Sequence, residues 1–173
     1  MGEPKKSKQT VSENGELIID LIEGIKIHYP PTLQDDRGTL CEIYGHSWNF
    51  DDLPIPHAYL VTIRPGKVKG WAVHSMQTDR YFFVSGTTKL VLYDDRKDSC
   101  SHKKINELYF SEHNRALVSV PPGVYHAVEA VGISDSLLFN IPSHPYNHTD
   151  PDKHTLPLVN TIIPYQFEPI RGY

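Results

Sequence analysis

The chain is 173 residues long, 39% hydrophobic and 22% charged, which excludes a disordered polymer and supplies core enough for one domain. Its formal net charge of -4, with ten histidines counted neutral, argues against nucleic acid as the main partner. No apolar run approaches the roughly 18 residues of a membrane-spanning helix, so neither nucleic acid nor a membrane is an expected partner.

Residues 1–15 are polar, lack the apolar stretch of a secretory signal, and carry Lys6 where the myristoylation pattern wants Ser or Thr. They read as a flexible leader before a single domain spanning 16–173. Cys41 and Cys100 have no metal-type spacing; with no signal they read as free thiols of a cytoplasmic protein. Residues 16–23, ELIIDLIE, have the composition of a two-turn helix, a length that is marginal in isolation. From there the chain reads as short strands rich in β-branched and aromatic residues. They are expected over 25–29, 40–44, 58–63, 69–73, 81–85, 88–93, 105–110, 117–120, 125–131 and 137–141. Turn sequences stand between them: RPGK at 64–67, SGTT at 85–88, DDRKDS at 94–99 and PPG at 121–123. Even spacing of short strands predicts an all-β sandwich or barrel. From about residue 142 the chain turns proline-rich and is expected to wrap the surface irregularly.

His74 is the residue with most at stake. Metal-binding cupins carry two histidines at i and i+2 on one strand, then a glutamate, and a further histidine after a P-x-G turn. Strand alternation aims i and i+2 to the same side. Here Pro121, Gly123 and His126 keep the second half, but Met76 follows His74 at i+2. Thioether sulfur suits hard divalent metals poorly. The expectation is no metal and no cofactor, with His74 either a base, a substrate ligand or a core histidine.

Four motifs in register narrow the reading: DDRGTLCE (35–42), VKGWAVHSMQ (68–77), SGTTKLVLYDDR (85–96) and VPPGVYHAV (120–128). Together they resemble the dTDP-4-dehydrorhamnose 3,5-epimerase family, over roughly residues 35–167. That resemblance implies a cupin jelly-roll β-barrel of two antiparallel sheets, usually a homodimer. It implies a nucleotide-linked 4-keto sugar as substrate, here a dTDP-4-keto-6-deoxy sugar, with proton abstraction next to the ketone. By position His74 resembles the base and His126 the second barrel histidine. Arg37 and Glu42 resemble residues that bind the nucleotide sugar, often across a dimer interface. Trp71, Gln77, Arg80 and Phe139 fall at other substrate-binding positions. Imidazole suits such a base because it titrates near neutrality. The chain also departs from the pattern. Phe139 stands where the family has its acid tyrosine, Asn160 where it has the base-orienting aspartate, and Trp71 where it has an arginine. Asp79 or Arg80 replaces its oxyanion lysine. The alternative is a non-catalytic cupin that binds a sugar or another metabolite.

Overall fold

The computed structural model describes residues 6–7, 9–14 and 17–168. Twelve strands follow in chain order: β1 (Lys26–His28), β2 (Thr32–Asp35), β3 (Gly38–Cys41), β4 (Tyr59–Ile63), β5 (Val68–His74), β6 (Asp79–Ser85), β7 (Thr88–Asp94), β8 (Ile105–Phe110), β9 (Leu117–Val120), β10 (Val124–Ala130), β11 (Ser136–Asn140) and β12 (Lys153–Thr155). One turn of 3-10 helix, His46–Trp48, lies between β3 and β4. There is no α-helix among the described residues.

The strands form two five-stranded antiparallel sheets. One has the order β1-β9-β6-β11-β4 and the other β12-β5-β10-β7-β8, while β2 and β3 make a separate hairpin. This is the all-β sandwich expected from the strand pattern, in the jelly-roll form that the resemblance implies. The core lies between the sheets, and alternation builds it. On β7, Leu90 and Leu92 point inward to meet Phe83, Phe110, Val118 and Leu138. Phe83 stacks on Phe110 with ring centroids 4.3 Å apart. Side chains at the intervening positions are buried as well, because the chain covers both outer faces. Phe82 and Leu117 pack outside the first sheet beneath Phe50, Tyr44 and Trp48. Trp71, Val91 and Tyr93 pack outside the second beneath Ile163, Tyr165 and Phe167. With both sides covered, several strands lose the apolar–polar rhythm of a half-solvated sheet.

Three expectations need correction. Residues 17–23 are not helical; residue 16 and residues 1–5, 8 and 15 of the expected leader lie outside the described residues. The side chain of Asn106 accepts from the Ile22 amide at 2.8 Å and donates to the Asp20 carbonyl at 3.0 Å, and Ser101 Oγ accepts from the Glu23 amide. These bonds take the amides a helix would need, and Ile22 is buried in the core. The strand expected at 40–44 is instead the hairpin arm β3, with Gly38 (φ +146°) at its turn. The proline-rich end is not wholly irregular: β12 pairs with β5, Lys153 opposite His74 and Thr155 opposite Ala72. Cys41 and Cys100 are both free.

Candidate active site

On β5, Gly70, Ala72 and His74 face the space between the sheets. Ala72 lies opposite His126 on β10, so the two imidazoles come side by side, centroids 5.7 Å apart and planes 13° from parallel. Gly70 is required for that approach: a Cβ there would lie 2.5 Å from the Cβ of Ala127. The PPG turn is tied to the same point, since the Gly123 amide donates to the His74 carbonyl at 2.8 Å. The other sheet contributes Asp79 and Tyr81 of β6, again i and i+2 on one face.

Asp79 is the hub. Its Oδ2 lies 3.2 Å from His74 Nε2 and 3.3 Å from His126 Nε2, and accepts from the Tyr81 hydroxyl at 2.8 Å. Its Oδ1 accepts from the amides of Gln77 at 2.7 Å and Asn140 at 2.8 Å. Burial pushes the carboxyl up, but hydrogen bonds and charge from His126 and His74 outweigh it and hold Asp79 well below its ordinary range. Tyr81 is driven well above the usual phenol value by burial first and then by the Asp79 charge. A second carboxylate approaches His74 from behind: Asp152 Oδ2 lies 3.7 Å from Nδ1. Asp152 is pinned by the backbone amides of Ser75, Met76 and Gln77, at 3.0, 3.0 and 2.9 Å. Any proton His74 takes up therefore leaves an imidazolium flanked by Asp79 at one nitrogen and Asp152 at the other. His126 is oriented by its Nδ1, which donates to the Val124 carbonyl at 3.2 Å.

These groups line the base of a cavity of about 410 Å³, a size that suits a small organic ligand. Tyr59 of β4, Lys69 of β5, and His144, Tyr146 and Lys153 of the C-terminal segment also line it. His74, His126 and Asp79 each offer one ligand atom, a ring nitrogen or a carboxylate oxygen, and these lie within 4.8 Å of one another, close enough to hold a divalent cation. Such an ion would have to share an Asp79 carboxylate that already accepts from Tyr81, Gln77 and Asn140.

The residues expected from the sequence divide into two groups. His74, His126 and Gln77 meet in this cavity. Trp71, Arg80 and Phe139 do not, and the reason in each case is the pleat. Trp71 is fully buried on the outer face of its strand, edge-on to Tyr165 at 5.9 Å and against Phe167 at 5.4 Å. Arg80 points away from Asp79 into the outer layer, where Asp51 Oδ1 at 3.0 Å and the carbonyls of Ile141, Leu53 and Pro54 accept from it. Phe139 sits opposite Phe82 in the outer cluster beneath Tyr44 and Trp48. Arg37 and Glu42 are exposed in and just after the hairpin, Arg37 paired with Asp35. Asn160 is also remote: it caps a turn by accepting from the amides of Ile162 and Ile163. Tyr81, Asn140, Tyr59 and Asp152 are site residues that sequence reasoning missed, and Asp79 entered it only as a replacement for the family's lysine. The i,i+2 pair Asp79–Tyr81 was a usable signal; Asp152 is 78 positions from His74 and gave none.

Comparison with known proteins agrees with this architecture. A protein of Haloferax volcanii named as a probable low-salt glycan biosynthesis epimerase is 31% identical over 124 residues, covering 71% of this chain and 80% of its own. The spore coat polysaccharide biosynthesis protein SpsL of Bacillus subtilis is 29% identical over 141 residues, covering 79% of this chain and 90% of its own. Among solved structures, a dTDP sugar isomerase from Desulfovibrio desulfuricans superposes with a TM-score of 0.76 at 22% identity, over 84% of this chain and 91% of that one. The dTDP-4-dehydrorhamnose 3,5-epimerase of Bacillus anthracis superposes with a TM-score of 0.73 at 18% identity, over 85% and 88%. Fold and chain order are thus those of the epimerases that the four motifs resemble. Residues 33–154, from the hairpin to the strand beside His74, match one family as a whole, and the chain belongs to it: the polysaccharide biosynthesis C-terminal domain family.

Proposed function

We propose that this protein is a metal-independent epimerase or isomerase of a nucleotide-linked keto sugar, a dTDP-4-keto-6-deoxy sugar being the class the resemblance favours. His74 is the base. It removes a proton from the carbon next to the ketone, and the electron pair moves into an enolate. The observation that carries the reading is the setting of His74 at the base of the cavity, its ring between the carboxylates of Asp79 and Asp152. That setting stabilises the imidazolium formed during abstraction, which is where a general base gains from its surroundings. His126 shares the Asp79 carboxylate and completes the floor. Relatives named as an epimerase and as a polysaccharide biosynthesis protein support sugar chemistry.

The hairpin belongs to the same proposal. Leu33 and Leu40 lie opposite each other on β2 and β3 and are 63% and 60% exposed, an arrangement suited to a second copy of the chain. In such a homodimer Arg37 and Glu42 reach the partner's cavity and help bind the nucleotide sugar, Arg37 gripping the diphosphate, for which a guanidinium is well shaped. A cytoplasmic setting goes with a nucleotide-sugar substrate and two free thiols; no helix is long and apolar enough to cross a membrane among the described residues.

The test is proton exchange. Incubated with dTDP-4-keto-6-deoxyglucose in D2O, the protein should place deuterium at C3 or C5, followed by NMR, and His74→Ala should abolish it. Absence of exchange with the intact protein, with binding of the same sugar by calorimetry, would leave a non-catalytic binding protein and overturn the enzymatic reading.

A further inference from the structure

Inverting a carbon takes two groups on opposite sides of the sugar ring: one removes a proton and the other supplies one. His74 lies on β5, in the second sheet. Phe139, at the position where the sequence leads one to look for the second group, carries no exchangeable hydrogen and faces outward. The cavity contains three tyrosines: Tyr59, Tyr81 and Tyr146. Hydrogen bonding sets Tyr81 apart, and position in the fold sets Tyr146 apart.

The Tyr81 hydroxyl donates to Asp79 Oδ2 at 2.8 Å, so its hydrogen is engaged. Tyr146 is on the C-terminal segment, 55% exposed, with its ring edge-on to His148 at 4.8 Å. Tyr59 is different. The orientation of the Asn140 amide is fixed from both ends. Its Oδ1 accepts from the Arg80 backbone amide at 3.1 Å, so its Nδ2 is the donor facing the cavity. Nδ2 has two hydrogens; one goes to Asp79 Oδ1 at 2.8 Å and the other to the Tyr59 oxygen at 2.7 Å. The Tyr59 oxygen is therefore an acceptor, and among the described residues no acceptor takes its own hydrogen. Tyr59 pairs with Asn140 across β4 and β11, in the sheet opposite His74. We propose that Tyr59 is the acid that delivers a proton to the face of the sugar opposite His74.

The inference rests on the epimerase reading and deepens it. The step balances as follows. His74 takes the proton from the carbon beside the ketone, and the bonding pair becomes the enolate double bond. The Tyr59 O–H bond then breaks, its proton goes to that carbon on the other face, the enolate pair forms the new C–H bond and the ketone returns. Tyr59 is left as phenolate, His74 as imidazolium, and both return to their starting state through solvent. Tyr59 is 44% exposed at the cavity mouth, which gives water that access. Burial, then the Asp79 charge, raises its pKa, so the phenol keeps its proton until the enolate forms.

Tyr59→Phe and Tyr81→Phe, each checked for folding by circular dichroism, separate the roles in D2O with dTDP-4-keto-6-deoxyglucose. In Tyr59→Phe, deuterium should still enter the carbon beside the ketone with retention, since His74 returns its own deuteron, while the inverted product falls about 100-fold. Tyr81→Phe loosens Asp79 and should lower exchange and inversion together. Inversion at the unaltered rate by Tyr59→Phe would overturn the inference, as would a proportionate loss of exchange and inversion in that variant. No exchange by the unaltered protein would instead overturn the base assignment beneath it.

Discussion

At the scale of single residues, the site depends on carboxylates that accept several hydrogen bonds at once. Asp152 accepts three backbone amides of the turn after β5 and faces His74 Nδ1. Asp152→Ala should lower kcat by 10-fold or more with a smaller change in KM, because it removes support for the imidazolium rather than a sugar contact; steady-state kinetics measure the split. Phe139→Tyr should leave turnover unchanged, since the added hydroxyl would enter the outer cluster with Phe82 and not the cavity. The sequence exposes half of this chemistry. His74 and His126 are legible because strand alternation and the P-x-G turn fix where they point. Asp79 and Arg80 stand in the sequence as alternatives for one position, and the pleat sends the two to opposite faces, Arg80 to Asp51 and Asp79 to the histidines. Asn160, which stands in the sequence where the family has its aspartate, caps a turn remote from the cavity, and it is Asp152 that comes up beside His74.

At the scale of elements, the central strands are legible because their composition and flanking turns agree. β4 through β11 all lie within two residues of the expected spans. The misses are segments whose conformation is imposed by distant side chains, as at residues 17–23, or by an edge, as at β12. The C-terminal segment also carries load. Trp71 is fully buried beneath it, and Lys89 reaches over Tyr165 and Phe167 at 5.7 and 5.5 Å while pairing with Glu129 at 2.6 Å. Trp71→Ala should cost about 3–5 kcal/mol of stability, read from urea midpoints, with the pattern of exchange products unchanged. The Tyr165 phenol is pushed up to about 12, by burial first and then by its hydrogen bond to Glu107, against the opposing hydrogen bond and charge of Lys89. The protonated phenol is favoured in the fold, so its contribution is complete below about pH 10, the unfolded value, and is lost as pH rises through 12. Tyr165→Phe should flatten that alkaline limb in a series of urea titrations.

At the scale of the whole molecule, the hairpin and the two sheets make separate predictions. Light scattering should give about twice the 19.7 kDa chain mass, and Leu33→Glu with Leu40→Glu should return the monomer by placing charge on the exposed apolar pair. Asp79 on one sheet bonds to His74 and His126 on the other, so it holds the sandwich together as well as the site. Its folded pKa is depressed. Its contribution is therefore complete above about pH 4, the unfolded value, and is lost as pH falls below it. Asp94 acts in the same direction: burial opposes it, but Arg96, Ser101 and Ser99 hold its carboxyl below the ordinary range. Urea midpoints should drop steeply between pH 4 and about pH 2, and Asp79→Asn should show a shallower acid limb.

The bonds from Asp152 to the amides of residues 75–77 span 75 to 77 positions of chain. Both histidines and Asp79 leave the ribosome long before the carboxylate that backs His74. A nascent chain halted before Asp152 also lacks β12 and the segment that covers Trp71, so the order of synthesis brings the carboxylate beside His74, the edge strand of its sheet and the cover of the outer cluster out together and last.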